Sequence, residues 1–256
     1  MIVDTAVILA AGMGTRLRGV LTDVPKGFLV IDGRSLIGRS LDLLLTCGMK
    51  RIIIVTGHLK NYYEELVCRY PQVEFVNNAV YAESGSMYSL YCAREAIRDA
   101  AGDFLLLESD LIYERRALDQ LLADPRRDVI LLSGTTHSGD EVYVETQGEK
   151  ITAMSKDRKK LSFVGGELVG ISRISSNFFT QMQSFAEARF EKDYRMDYED
   201  CLVQAASVQS LYYHKIDNLI WSEIDDEAHL QRVIERVLPR LKQVENDQGA
   251  SHRRKN

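Results

Sequence analysis

Cysteine is scarce and unpaired. Cys47, Cys68, Cys92 and Cys201 are scattered through 256 residues with no Cys-x-x-Cys spacing. Each lies in an apolar or helical context. This pattern points away from a thiolate metal site and a disulfide framework, and toward buried free thiols in a reducing compartment. Positive charge is not in excess. The net charge is −5, whereas a nucleic-acid binder would carry a basic field, so no nucleic-acid partner is expected. No apolar run approaches the length of a membrane span, and Met1 to Thr5 has no signal-peptide pattern. No membrane partner is expected, and the expected location is cytoplasmic. There is no internal repeat. What is present is 45% hydrophobic residues in a length that can bury a substantial core within one large α/β domain.

The pattern along the chain alternates. Val3 to Ala11 reads as a buried strand and Phe28 to Ile31 as a short apolar segment, followed by a turn at Asp32-Gly33. Ser35 can cap a helix carrying Leu36, Ile37, Leu41, Leu44 and Leu45 at helical spacing, which Gly48 stops. Arg51 to Thr56 is a β-branched run of the parallel-strand type. A helix over Leu59 to Tyr70 and a strand over Val73 to Asn77 follow, so the order predicts a doubly wound sheet. Further on, the pattern predicts a helix over Met87 to Ala100, a strand over Phe104 to Leu107, a helix over Arg115 to Ala123 and a strand over Val129 to Leu132. Shorter strands at Glu141 to Thr146, Ile151 to Ser155 and Phe163 to Ile171 suggest an antiparallel extension. Helices over Ser176 to Phe190 and Glu199 to Ser207, then strands over Tyr212 to Lys215 and Ile220 to Ile224, lead to an amphipathic closing helix from Glu227 to about Val244. Residues 245–256 are polar and read as a disordered tail or the start of a linker.

Chemistry concentrates first at Leu9-Ala10-Ala11-Gly12-Met13-Gly14-Thr15-Arg16-Leu17, with Pro25-Lys26-Gly27 beyond it. Glycines directly after a strand let backbone N–H groups face a ligand, and Arg16 and Lys26 add fixed positive charge. Together they describe a cradle for a triphosphate. The third glycine of a dinucleotide fingerprint is absent, since Leu17 stands there, and no Gly-Lys-Ser/Thr of a Walker loop follows.

The whole string, LAAGMGTRL and then PKG, resembles the signature of the nucleotidylyltransferases that activate sugar phosphates, phosphocholine and related headgroups. The resemblance implies a three-layer αβα Rossmann-like fold, with a mostly parallel mixed sheet and a small antiparallel acceptor-binding extension. It places a single domain at 1–244, with its acceptor part at about 135–215. Leu9 to Thr15 would then meet the nucleotide, and Lys26 and Arg16 the triphosphate, while Lys156 would act on the acceptor's phosphate or phosphonate. A plain basic turn with Lys159 and Lys160 is the alternative for Lys156. Asp110, after the strand FLLL, and Asp225, in Trp221-Ser222-Glu223-Ile224-Asp225, match the family's metal-binding acids, with Asp226 the adjacent alternative to Asp225. Two strand-end carboxylates suit a Mg²⁺ that keeps waters and bridges phosphates.

Glu83 to Leu90 resembles the segment that joins the base pocket to a helix in choline-type cytidylyltransferases. This puts Ser84, Gly85, Ser86 and, beyond the strand, Ser109 with the nucleotide, and Tyr88 with the acceptor. A simple helix cap is the other reading of Ser84 or Ser86. In Asp197-Tyr198-Glu199-Asp200, Tyr198 and Asp200 match the Tyr-Trp-Asp of phosphocholine enzymes, but Glu199 replaces the tryptophan. A trimethylammonium favours aromatic faces, and a primary ammonium with three donors favours carboxylates. The exchange therefore favours CTP and a small aminated phosphonate or phosphate as substrates, with 2-aminoethylphosphonate ahead of phosphocholine or a sugar 1-phosphate. An acidic helix N-terminus is the structural alternative for Glu199 and Asp200. A nucleotide-sensing module without catalysis is the non-enzymatic one. A homodimer and a further domain after Asn256 are both compatible with the reading.

Overall fold

The structure, a computed structural model, describes residues 3–17, 24–100 and 102–253. Its elements in order are β1 (Thr5–Ala10), β2 (Val30–Ile31), β3 (Arg34–Ser35), α1 (Leu36–Thr46), β4 (Arg51–Thr56), α2 (Lys60–Glu64), β5 (Val73–Asn77), α3 (Ser86–Cys92) and α4 (Arg94–Asp99). There follow β6 (Phe104–Glu108), β7 (Leu111–Tyr113), α5 (Arg116–Ala123), β8 (Val129–Ser133), β9 (Tyr143–Gln147), β10 (Lys150–Ser155), β11 (Gly166–Ile174) and α6 (Ser176–Phe190). The chain ends with α7 (Tyr198–Ala206), β12 (Tyr212–Ile216), β13 (Trp221–Glu223), α8 (Glu227–Arg232) and α9 (Leu238–Arg253).

A nine-stranded mixed sheet runs in the order β5-β4-β1-β6-β11-β8-β12-β10-β9. The N-terminal four strands pair in parallel. Their apolar residues alternate between two cores. Ala6, Ile8, Ile52, Ile54, Leu105 and Leu107 belong to one, and Val7, Ile53, Val55, Phe104 and Leu106 to the other. A strand buried on both faces must be apolar throughout, which is why these segments read as continuous runs. The layering is the expected αβα one. β11 then enters antiparallel to both β6 and β8, and β9 pairs with both β10 and β11, curling the far end of the sheet into the antiparallel extension.

Several boundaries differ from the sequence expectation. The helix expected over Leu59 to Tyr70 is cut to α2 and a short 3-10 turn, and its entry residue Leu59 sits at φ 52°. The helix expected from Met87 to Ala100 breaks at Ala93 into α3 and α4. β13 lies outside the main sheet and pairs with β7, a strand of three residues that carries no periodic signal of its own. The closing helix is interrupted by a π turn at Val233–Val237 and then continues to Arg253. Helix therefore occupies 245–253, where a disordered tail was expected. Residues 254–256 lie outside the described residues. Glu245, Gln248, Ala250 and Arg253 keep this polar stretch compatible with helix. Among the described residues no helix is long and apolar enough to cross a membrane.

Candidate active site

β1 and β6 are parallel neighbours with Leu9 opposite Glu108, so the glycine loop after β1 and Ser109-Asp110 after β6 emerge at the same carboxyl edge. The Ser109 amide donates to the Leu9 carbonyl at 3.2 Å and ties the two together. Open α/β sheets receive ligands at this edge. Here a cleft of roughly 330 Å³ opens, within the size range of small-molecule sites. Leu9, Ala10, Ala11, Gly12, Gly14, Ser84, Gly85, Ser86 and Ser109 line it, as do Lys26, Lys156, Tyr198, Glu199, Asp110 and Asp225.

The end of the cleft expected to meet phosphate is built around Lys26. Gly14 takes φ 58°, a conformation that favours glycine, and a Cβ there would stand 2.9 Å from the Lys26 side chain. Lys26 is only 16% exposed. Its Nζ meets Asp110 Oδ2 at 2.9 Å and also contacts Asp225 Oδ1. Burial opposes the charge on Lys26, but the two carboxylates outweigh it and hold the ammonium protonated well above its ordinary range. The two acids meet because β7 and β13 pair with Leu111 opposite Glu223, and the Ile224 amide donates to the Asp110 carbonyl at 3.1 Å. Arg16 sits on the exposed rim. Its Nη2 reaches Asp225 at 2.9 Å and its Nη1 reaches Asp140 at 2.7 Å, while Lys156 Nζ meets the other Asp140 oxygen at 2.8 Å. Asp140, which sequence reading missed, thus bridges two predicted phosphate-binding cations. Burial works against its charge, but Arg16 and Lys156 hold it down to about 2.

Glu223 completes the acidic group. Burial first, then Asp225, Asp110 and Asp140, push it up to about 8. Glu223, Asp225 and His229 offer ligand atoms close enough together to share one metal ion. His229, however, is occupied. Its Nδ1 accepts from the Asp225 amide at 3.2 Å, so its Nε2 carries the proton and donates to the Ser138 carbonyl at 3.1 Å. That leaves oxygen donors on Asp110, Asp225 and Glu223, a hard set crowded with negative charge, and this suits a hard divalent cation.

At the part of the cleft that holds the expected acceptor residues Tyr198 and Glu199, Glu108 lies at the tip of β6 and receives a hydrogen bond from Tyr198 Oη at 2.7 Å. Burial, then Asp110 and Glu199, raise Glu108 well above the usual carboxylate range. Glu199 Oε2 is buried without a hydrogen-bond partner. Burial pushes Glu199 up to about 7, and Asp197 and Asp200 add to the shift. Counted over the cleft wall, Glu108, Asp110, Glu141, Glu167, Asp197, Glu199, Glu223 and Asp225 face Lys26 and Lys156. The acids far outnumber the cations.

A buried asparagine organises the nucleotide turn. Asn78, 0% exposed, donates to Ser84 Oγ at 2.9 Å and Ser89 Oγ at 3.0 Å. Ser86 Oγ accepts from the Tyr198 amide at 2.9 Å and donates to Asp197 Oδ1 at 3.2 Å. The two serine hydroxyls are therefore held by protein groups, and neither caps α3, whose N-cap is Gly85. A Cβ on Gly85 would come within 2.3 Å of the Met196 carbonyl, so the nucleotide turn and the segment leading to Tyr198 touch backbone to backbone.

Five predicted residues fall outside the cleft wall, Arg16 on the rim among them. Met13 and Thr15 point to solvent at the loop tip. Asp200 is exposed on α7 one residue past Glu199. Tyr88 is a correction. Ser86 and Ser89 share the cleft-facing side of α3, so Tyr88 projects elsewhere and packs on Tyr194 and Phe190, with centroids 4.7 and 5.1 Å away. Of the groups missed, Glu223 lay inside the string Trp221 to Asp225, Glu167 within an expected strand and Glu108 directly after one. Asp140 lay in a polar loop with no signal.

A glycine loop at the carboxyl edge of an open α/β sheet, facing a lysine clasped by two acids from distant segments of the chain, defines a nucleotidyltransferase. The chain belongs to the family of the MobA-like NTP transferase domain, which matches residues 6–179. It is 26% identical over 234 residues to a 2-aminoethylphosphonate cytidylyltransferase of Lancefieldella rimae, covering 88% of this chain and 89% of the relative. It is 27% identical over 237 residues to a CMP-5'-(3-aminopropyl)phosphonate synthase of Streptomyces rubellomurinus, covering 86% of this chain but 37% of that longer protein. Among solved structures, the inositol-1-phosphate CTP transferase of T. maritima shares the fold, with a TM-score of 0.80, 20% identity, and coverage of 94% of this chain and 96% of that one.

Proposed function

We propose that the chain transfers the cytidylyl group of CTP to 2-aminoethylphosphonate, giving CMP-2-aminoethylphosphonate and pyrophosphate. The observation that carries the choice of acceptor is the buried, unpartnered oxygen of Glu199 in a cleft wall dominated by carboxylates. A primary ammonium supplies both the charge and the N–H donors that such a wall lacks. The two aminoalkylphosphonate relatives support the same reading.

In the reaction, a phosphonate oxygen attacks the α-phosphorus of CTP in line. A new P–O bond forms there as the bond to the β-phosphate oxygen breaks, and pyrophosphate leaves. No general base is required, because a phosphate-like group with a second pKa near about 6 is already largely ionised at neutral pH. The glycine-loop amides orient the nucleotide. Lys26 neutralises charge that builds on the transferred phosphoryl group, Arg16 holds the departing end, and Lys156 steers the phosphonate. Asp110 and Asp225, with Glu223 behind them, would hold Mg²⁺, which when bound screens the α-phosphate from the approaching anion. For Arg16 and Lys156 to serve two phosphate groups, Asp140 must give up at least one of its two ion pairs.

Pyrophosphate release tests the proposal. Assays with each nucleoside triphosphate, and with 2-aminoethylphosphonate, phosphocholine and glucose 1-phosphate as acceptors, should give the highest kcat/KM for CTP with 2-aminoethylphosphonate. Faster turnover of phosphocholine would transfer the reading to a choline-type enzyme, with the Tyr198 and Trp221 rings at the cleft wall enclosing the trimethylammonium.

A further inference from the structure

Asp110 and Asp225, the acids read above as holders of a divalent cation, already carry cationic partners. Lys26 Nζ meets Asp110 Oδ2 at 2.9 Å and contacts Asp225 Oδ1, and Arg16 Nη2 reaches the other Asp225 oxygen at 2.9 Å. Both oxygens of Asp225 are thus engaged. The side chains of Lys26 and the two acids are at most 20% exposed, so water screens these contacts less than it screens a surface ion pair. A carboxylate oxygen can accept twice. A divalent cation and an ammonium on one oxygen would nevertheless repel at close range. A cation that takes Asp225 therefore competes with Lys26 or Arg16, and one that bridges both acids competes with Lys26.

Backbone contacts hold the acids in place independently of the lysine. The Ile224 amide donates to the Asp110 carbonyl at 3.1 Å, and the Asp225 amide donates to Nδ1 of buried His229 at 3.2 Å. The backbone of Lys26 is fixed too. The Phe28 amide donates to the Pro25 carbonyl at 2.8 Å, and the Leu29 amide to the Lys26 carbonyl at 2.9 Å. What remains free to turn is the flexible aliphatic stem of Lys26, which lies beside Gly14. We propose that Lys26 is a built-in competitor for the cation site: its ammonium clasps the two acids until a triphosphate draws it, with Arg16, onto phosphate oxygens, so that nucleotide and divalent cation bind cooperatively. This competition rests on the reading of Asp110 and Asp225 as cation ligands. By linkage, the cation raises the affinity for nucleotide by the same factor as nucleotide raises the affinity for the cation.

Titration of the full chain with Mn²⁺ in the absence of nucleotide, followed by electron paramagnetic resonance, reads the competition. Lys26→Met should bind Mn²⁺ about tenfold or more tightly than the native chain, the scale of removing one charge-assisted contact. Lys156→Met removes the same charge from the cleft, but Lys156 is exposed and pairs with Asp140 instead, so that variant should shift the affinity by less than about twofold. Equal shifts in the two variants, or none in Lys26→Met, overturn the proposal. A second measurement needs no variant. Saturating Mn²⁺ should speed the labelling of Lys26 by acetic anhydride, followed by mass spectrometry, and leave Lys156 unchanged. Unchanged labelling of Lys26 with Mn²⁺ bound also overturns it. Asp110→Asn separates the competition from the reading beneath it. Mn²⁺ binding that ignores Asp110→Asn removes the acids as ligands, and the competition with them. Mn²⁺ binding that needs Asp110 but ignores Lys26→Met leaves the ligands standing and refutes the competition alone.

Discussion

Replacing Glu199 by glutamine removes one negative charge and leaves the side chain's size unchanged. Glu199 is largely buried, lines the cleft, and has an oxygen with no protein partner, so solvent screens little of what it contributes to a bound ammonium. A hydrogen bond to a charged group contributes about 1.5–3 kcal/mol, and roughly 1.4 kcal/mol is tenfold, so KM for 2-aminoethylphosphonate should rise roughly 10- to 100-fold. Phosphocholine, which has no N–H to donate, should lose far less. The carboxyl also titrates in an accessible range. Burial, with Asp197 and Asp200 adding repulsion, brings it to about 7, so it becomes the binding carboxylate only as pH rises through that value. KM for the amine should therefore fall between pH 6 and pH 8 in the native enzyme. The Gln variant should keep only the dependence that comes from the acceptor's own ionisation. The assay is pyrophosphate release with both acceptors across that range. Equal losses on both acceptors, or an unchanged pH profile in the variant, would refute the assignment of Glu199 to the amine.

Other expectations concern the phosphate end, the joint between the pockets and the scaffold. Asp110→Ala should lower kcat by about a thousandfold, the scale of losing one preorganised electrostatic group, and leave the far-ultraviolet spectrum unchanged because Lys26 keeps Asp225 as a partner. Gly85→Ala must push a new methyl against the Met196 carbonyl, 2.3 Å away, and should raise KM for CTP and for the acceptor together in steady-state assays. Arg173→Met should lower Tm by roughly 10 °C in calorimetry with little change in kcat. Its buried guanidinium donates to the carbonyls of Leu121, Leu122, Asp124 and Arg127, and losing these charge-assisted bonds should cost about 3 kcal/mol.

Local chemistry decided how much could be read in advance. Arg51–Thr56 and Val73–Asn77 fold as the strands expected of their β-branched runs, and Ser35 caps α1 by accepting from the Gly38 amide at 3.1 Å. Lys26, Asp110 and Asp225 converge because each follows a recognisable local signal. Tyr88 escaped because a residue's side of a helix depends on phase: one residue from Ser89, it turns away from the cleft. Asp140 escaped because its partners, Arg16 and Lys156, lie on other segments and its own loop has no period. The Tyr198 to Glu108 hydrogen bond joins residues 90 positions apart, which no short window contains. The strand β7 is too short for alternation to be visible, and only its pairing with β13 shows what it does.

That small ribbon works as a ruler. Asp110 and Asp225 are more than a hundred positions apart, yet their spacing is set by three rungs, Leu111 to Glu223, Ile112 to Ser222 and Tyr113 to Trp221. The residues proposed to meet the acceptor, Lys156, Tyr198 and Glu199, are strung between those rungs as a single excursion. Insertions within the excursion leave the gap between the two acids untouched, whereas one residue added inside β13, between Trp221 and Glu223, would slip the ladder and turn alternate side chains to the opposite face. Such an arrangement lets the excursion change length while the two acids keep their separation.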